Sequence, residues 1–258
     1  MFPEALSFSA LAVLFLAGLW AGAQNALAGG GSFVTLPALM LAGLDPKLAN
    51  ITSTMALFPG QITTGIAGRK LVSGAERLSF RALALISLVG GVAGAALLIV
   101  TPVRVFGAMV PWLVLAATGI FAWSTLGRKR GGKKGDAPPE PPPAWVSAVI
   151  QSVIAVYSGF FGGGAGIITL AALTLARMPI RNAGGTKNVL VSLSNLAAAL
   201  VFALSGTVAW SFALVLGSGS VLGGYLGARL LTVLPEKVLR VGVILIGLGL
   251  TAGLFLRG

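Results

Sequence analysis

The 258-residue sequence is 56% hydrophobic and only 9% charged, and its formal net charge is +12. That balance excludes a soluble globular domain and describes an all-α, polytopic integral membrane protein. The sequence has no Cys and no His, which removes disulfides, thiolate chemistry and the usual general base and metal ligand, so no cofactor or metal is expected.

The chain opens with Met1-Phe2-Pro3-Glu4, which lacks the basic segment of a signal peptide. Ala21-Gly22-Ala23 resembles a cleavage site, but the surrounding run has a counterpart later in the chain and is read as retained. Apolar runs follow at 6–28, 32–44, 48–68, 79–101 and 103–125, then at 145–161, 165–177, 186–206, 209–232 and 236–256. A full span takes about 20 apolar residues, so the third, fourth and fifth runs of each set qualify and the second is short. The first two runs of each set are expected to form a hairpin that turns at glycines without fully crossing. The predicted organisation is a first transmembrane repeat over 1–126, a basic and Pro-rich linker over 127–144 and a second repeat over 145–258.

The repeats are legible in the residues. Gly29-Gly30-Gly31-Ser32-Phe33-Val34-Thr35-Leu36 returns as Gly162-Gly163-Gly164-Ala165-Gly166-Ile167-Ile168-Thr169-Leu170. The triple glycines lie 133 positions apart, and the stretch from Thr35 to Gln61 matches Thr169 to Asn195 at 134, with Ala165 taken as the inserted residue. A second block, from Gly91 to Pro102, matches Gly224 to Pro235 at 133. Duplicated halves with interrupted apolar helices are the sequence pattern of a secondary transporter.

Charge orients the chain. The linker carries Arg128, Lys129, Arg130, Lys133 and Lys134 ahead of a proline run, and is expected to be cytoplasmic. With both termini outside, 15 of the 18 Lys and Arg fall inside, and only Lys47, Arg104 and Arg257 fall outside. The loop after the third run is then basic and internal in the first half, and uncharged and external in the second. The halves are therefore expected to be inverted, with five helical elements in each.

Irregular backbone at membrane depth must be buried or must line a wet cavity. The glycines at 29, 30 and 31 with Ser32, and those at 162, 163 and 164, open the second arm of each hairpin, where free N–H groups and a positive dipole end suit an anion. The pairs Gly90/Gly94, Gly219/Gly223 and Gly223/Gly227 are read instead as helix-packing faces. The third runs carry polar stripes: Asn50, Thr54, Gln61 and Thr64 in the first half, Asn188, Ser192 and Asn195 in the second. Under the 134-residue offset Thr52 pairs with Thr186, Thr54 with Asn188, and Gln61 with Asn195. Thr54, Gln61, Asn188 and Asn195 are expected to converge on one anion near the bilayer midplane. Gln24 and Asn25 join this set, with Tyr157 and Ser158 as their counterparts. All six acids (Glu4, Asp45, Glu76, Asp136, Glu140 and Glu236) lie outside the spans, so an embedded proton relay is missing and Lys187 is the candidate cation.

These residues resemble the sulfite exporter TauE/SafE family of bacterial membrane permeases. The resemblance rests on the two glycine-rich elements, on Ala49-Asn50-Ile51-Thr52-Ser53-Thr54 and on Ala183-Gly184-Gly185-Thr186-Lys187-Asn188, and extends over nearly the whole chain. It implies transport of sulfite, sulfoacetate or related organosulfonates across a bacterial inner membrane. Many members carry a lysine after the first Thr-rich element; here the lysine is in the second half.

The expected partners are thus a small sulfur-containing anion, the lipid bilayer and, as an option, further copies of the chain in a homo-oligomer, with no nucleic acid. A passive anion channel and a cation-coupled carrier of another small solute are the competing readings. A hydrolase lacks its base. A reporter fused after Gly258 is expected outside and one inserted near Gly135 inside; an external linker would overturn the inverted arrangement.

Overall fold

The computed structural model describes residues 8–27, 30–75, 77–126 and 142–230, with the isolated positions 248 and 252. The basic linker from 127 to 141 and the tenth apolar run, apart from those two positions, lie outside the described residues. Those described form helices and their connections: α1 (Phe8–Leu27), α2 (Ser32–Leu41), α3 (Pro46–Gly68), α4 (Phe80–Val100), α5 (Val103–Leu126), α6 (Ala144–Phe160), α7 (Ala165–Leu175), α8 (Ile180–Ser205) and α9 (Trp210–Leu230). A single 3-10 turn at Arg69–Leu71 follows α3.

Local chemistry sets the boundaries. Gly30 has φ of 84° and Gly164 has φ of 75°, left-handed values that side chains resist, so the chain breaks between α1 and α2 and between α6 and α7. Asp45 Oδ1 accepts from the N–H groups of Lys47 and Leu48, each at 3.0 Å, and Pro46 pre-sets the first turn of α3. Ser79 Oγ caps α4 through the Ala82 N–H at 3.3 Å. At its other end, the α4 carbonyls of Ile99 and Thr101 accept from Lys47 Nζ at 2.6 and 2.8 Å, a cation seated on a negative helix terminus.

Among the described residues, four helices contain stretches long and apolar enough to cross a membrane: Phe8–Asn25, Phe80–Val100, Val103–Ile120 and Asn182–Ser205. α2, α6, α7 and Trp210–Leu226 are apolar but shorter. The first arm of the first hairpin therefore has the length of a span, where a shorter arm is expected from sequence. Its helix runs unbroken to Leu27, because no residue before the glycines interrupts it. α3 has 23 residues but is not among the four, since its polar stripe lowers its apolarity.

The packing is paired. α1 lies along α9 and α6 lies along α4; α3 contacts both α8 and α9, and α8 contacts both α3 and α4. Under the internal offset, α1 corresponds to α6, α3 to α8 and α4 to α9, so each contact has its counterpart in the other half. Glycines make the pairs close. A Cβ on Gly18, Gly22, Gly219 or Gly223 would overlap a backbone carbonyl across the α1–α9 contact, and one on Gly94 or Gly159 would do so between α4 and α6. One apolar cluster gathers Phe33, Phe106, Phe160, Phe202 and Phe212, with Phe106 and Phe160 edge to face at 5.6 Å. A smaller one joins Leu83, Leu173, Met178 and Leu190.

Gly223→Ala forces α1 and α9 apart and should destabilise the folded protein by about 1–3 kcal/mol, as overpacking does. Gly119→Ala on α5 meets nothing within 4 Å and should leave the melting temperature unchanged or slightly raised, because alanine favours helix by up to about 1 kcal/mol. Thermal denaturation in detergent checks the pair; equal shifts would contradict the close contact.

Candidate functional site

Where α3 and α8 meet the two glycine turns lies a partly open cavity of about 40 Å³. One water needs roughly 10–15 Å³, so the space fits a few heavy atoms. Asn25, Gly30 and Ser32 line it from the first turn, and Gly162 and Gly166 from the second. Gln61 of α3 and Lys187, Asn188, Val191 and Ser192 of α8 complete the wall.

The electrostatics follow from the helix ends. α2 begins at Ser32 and α7 at Ala165, each behind a glycine cap with no side-chain hydrogen bond. The first N–H groups of a helix have no partner within it and carry the positive end of the macrodipole. Both starts reach the cavity, through Ser32 and Gly166. Lys187 adds a full charge. It is 9% exposed, and a Cβ on Gly166 would sit 3.9 Å from its Nζ, so the ammonium lies beside the first turn of α7. Among the described residues the one carboxylate is Asp45, which is engaged in capping α3, so Lys187 has no acidic partner there. A buried cation with two helix N-termini and amide side chains is an environment for a small anion.

Of the residues singled out from sequence, Asn25, Gly30, Ser32, Gln61, Gly162, Lys187 and Asn188 reach the cavity wall; Gly29 lies outside the described residues. The others hold the scaffold. Gly31 caps α2 and donates its N–H to Asn25 Oδ1 at 2.8 Å. The Gly163 carbonyl accepts from Tyr157 Oη at 2.5 Å, and Gly164 caps α7. Asn50 Nδ2 donates to the Phe160 carbonyl at 3.0 Å, closing the broken end of α6. Thr54 Oγ1 donates to the Asn50 carbonyl on its own helix at 3.0 Å.

Asn195 Nδ2 donates to Gln61 Oε1 at 2.6 Å, while its Oδ1 accepts from Ser158 Oγ at 3.2 Å. Asn195 thus stands behind Gln61. Of Thr54, Gln61, Asn188 and Asn195, expected to converge, Gln61 and Asn188 are on the wall, Asn195 bonds Gln61 from behind and Thr54 bonds its own helix. Thr52 and Thr186, paired by the internal offset, serve connecting loops. Thr52 Oγ1 accepts from the Ala209 N–H at 3.3 Å; Thr186 Oγ1 accepts from the Ser73 N–H at 3.0 Å and lies 3.2 Å from the Ser73 carbonyl. Ser192 of the polar stripe lines the cavity as well, and Val191 and Gly166 do so without having been singled out. Val191 follows Asn188 by about one turn, and that spacing is the signal that would have found it.

The sequence profile of Sulfite exporter TauE/SafE matches residues 14–254. A "Probable membrane transporter protein" of Haemophilus influenzae is 29% identical over 246 residues, covering 94% of this chain and 93% of the relative. "Probable membrane transporter protein ORF9" of Sinorhizobium sp is 31% identical, covering 95% and 92%. "Probable membrane transporter protein YfcA" of Escherichia coli K12 is 30% identical, covering 95% and 89%. No solved structure matches the chain significantly.

Thr186→Val keeps the shape but removes both contacts to Ser73, leaving a loop N–H without its acceptor. The expected outcome is a stability loss of about 1–2 kcal/mol, with faster amide exchange confined to the loop at 72–75. Unchanged exchange there would mean the loop is held by other contacts.

Proposed function

The chain belongs to the sulfite exporter TauE/SafE family of membrane transporters, and on that premise we propose that it carries a small sulfur-containing anion. Sulfite, sulfoacetate and related organosulfonates are the substrate class, and the step is alternating access between two inverted repeats in a bacterial inner membrane. Lys187 is the observation that carries the reading: a buried ammonium on the wall of a polar cavity, without an acidic partner among the described residues. Its charge is met there by an anion, which Ser32, Gly166, Gln61 and Asn188 contact through N–H or amide donors.

Inversion is supported by the matched contacts of α1 with α9 and of α6 with α4, and by the paired engagement of α3 and α8. Such matched contacts support a two-fold relation, and the contrast between the basic loop after α3 and the uncharged loop after α8 favours an axis in the membrane plane over one along its normal. The basic loop carrying Arg69, Lys70, Arg77 and Arg81 then faces the cytoplasm with the linker, and both termini face outward.

In proteoliposomes, radiolabelled sulfite and sulfoacetate should enter saturably and show countertransport, which a passive channel does not. Lys187→Met keeps the stem and removes the charge. A charge-assisted hydrogen bond contributes about 1.5–3 kcal/mol, so affinity should fall roughly tenfold to more than a hundredfold. Wild-type affinity in that variant would move the anion site away from Lys187.

A further inference from the structure

We propose that Gln24 and Tyr157 are positioning residues of the anion site, each tying back one carbonyl of a glycine turn so that the turn offers N–H groups to the anion. The proposal rests on the anion reading above and assigns a role to two residues that do not line the cavity.

The two bonds are the same bond made twice. Gln24 Nε2 donates to the Gly30 carbonyl at 3.0 Å, and Tyr157 Oη donates to the Gly163 carbonyl at 2.5 Å. Each joins residues six apart in sequence. Both donor and acceptor are related by the 133-residue offset, Gln24 to Tyr157 and Gly30 to Gly163. An amide and a phenol have little in common except a hydrogen-bond donor at the end of a long side chain, so the shared property is the donor.

The surroundings fix both. Trp20 Nε1 donates to Gln24 Oε1 at 3.1 Å, which commits the Gln24 amide nitrogen to the turn. The Tyr157 ring packs against Phe161 with centroids 6.0 Å apart. Left-handed backbone at Gly30, Gly162 and Gly164, with φ of 84°, 73° and 75°, permits the concave run of N–H groups that binds anions. Such a turn also carries carbonyls, whose negative ends repel the same anion. The Gly30 carbonyl also accepts from the Phe33 N–H at 3.0 Å; Gln24 occupies its second lone pair and Tyr157 holds the Gly163 carbonyl, which lessens that repulsion. Lys187 supplies the second, independent indication that this wall faces negative charge.

The test compares Tyr157→Phe, Tyr157→Gln and Gln24→Met with wild type, in purified full-length protein. Radiolabelled sulfite binding and amide exchange of the ligand-free turns are the two readouts. Tyr157→Phe keeps the ring and loses the donor; sulfite affinity should fall about tenfold, and exchange at 161–166 should quicken. Tyr157→Gln installs the donor used in the other half and should recover both to within about threefold of wild type. Gln24→Met should weaken binding and quicken exchange at 30–33. Wild-type behaviour of Tyr157→Phe, or a Tyr157→Gln variant as impaired as Tyr157→Phe in folded protein, overturns the proposal. Absence of sulfite binding by wild type instead overturns the anion reading, and the exchange data still decide whether the carbonyls are held.

Discussion

Two helices stop and restart inside an apolar stretch, and every backbone group exposed by those breaks must be satisfied from within the protein or face a cavity. Much of the polar chemistry of this chain answers that demand. Gln24 and Tyr157 take carbonyls of the glycine turns, Asn25 takes the Gly31 N–H, and Asn50 reaches from α3 to the end of α6. The N–H groups that open α2 and α7, beside Lys187, give the cavity its sign. The site thus sits where the breaks in the fold bring two helix starts to one cavity.

Such economy explains what could be read from residues alone. Helix runs, the internal duplication and the membrane class follow from local pattern and composition, and the helices fall close to the expected runs. Gly90, Gly94, Gly219 and Gly223 meet neighbouring helices closely, as their spacing implies. Roles within the polar stripes were less legible. Asn50, Thr54 and Asn195 have the same helical spacing as Gln61 and Asn188, yet spacing gives a face and not a partner. Their partners include Phe160, 110 residues from Asn50, and Gln61, 134 residues from Asn195. Thr52 and Thr186 show the same limit, since the loops they hold lie 157 and 113 residues away.

The short bonds around Asn195 illustrate how support and contact differ. Ser158 donates to Asn195, which donates to Gln61, and Gln61 is on the wall. A substitution at Asn195 is felt in the cavity through the orientation of a neighbour. Polarity in a span is therefore evidence that a residue is needed, while its geometry decides for what.

The glycine contacts also divide the molecule mechanically. Between α1 and α9, and between α4 and α6, backbone meets backbone at Gly18, Gly22, Gly94, Gly159, Gly219 and Gly223. Surfaces so close cannot slide past one another without collision, so each pair behaves as a single beam. The junction of α3 with α8 is built differently, from Gln61, Ser192 and Asn195 joined by exchangeable hydrogen bonds. Those bonds can be remade in a new register at little cost. Compliance in this protein is concentrated along one polar seam between two stiff beams, and the cavity lies on that seam.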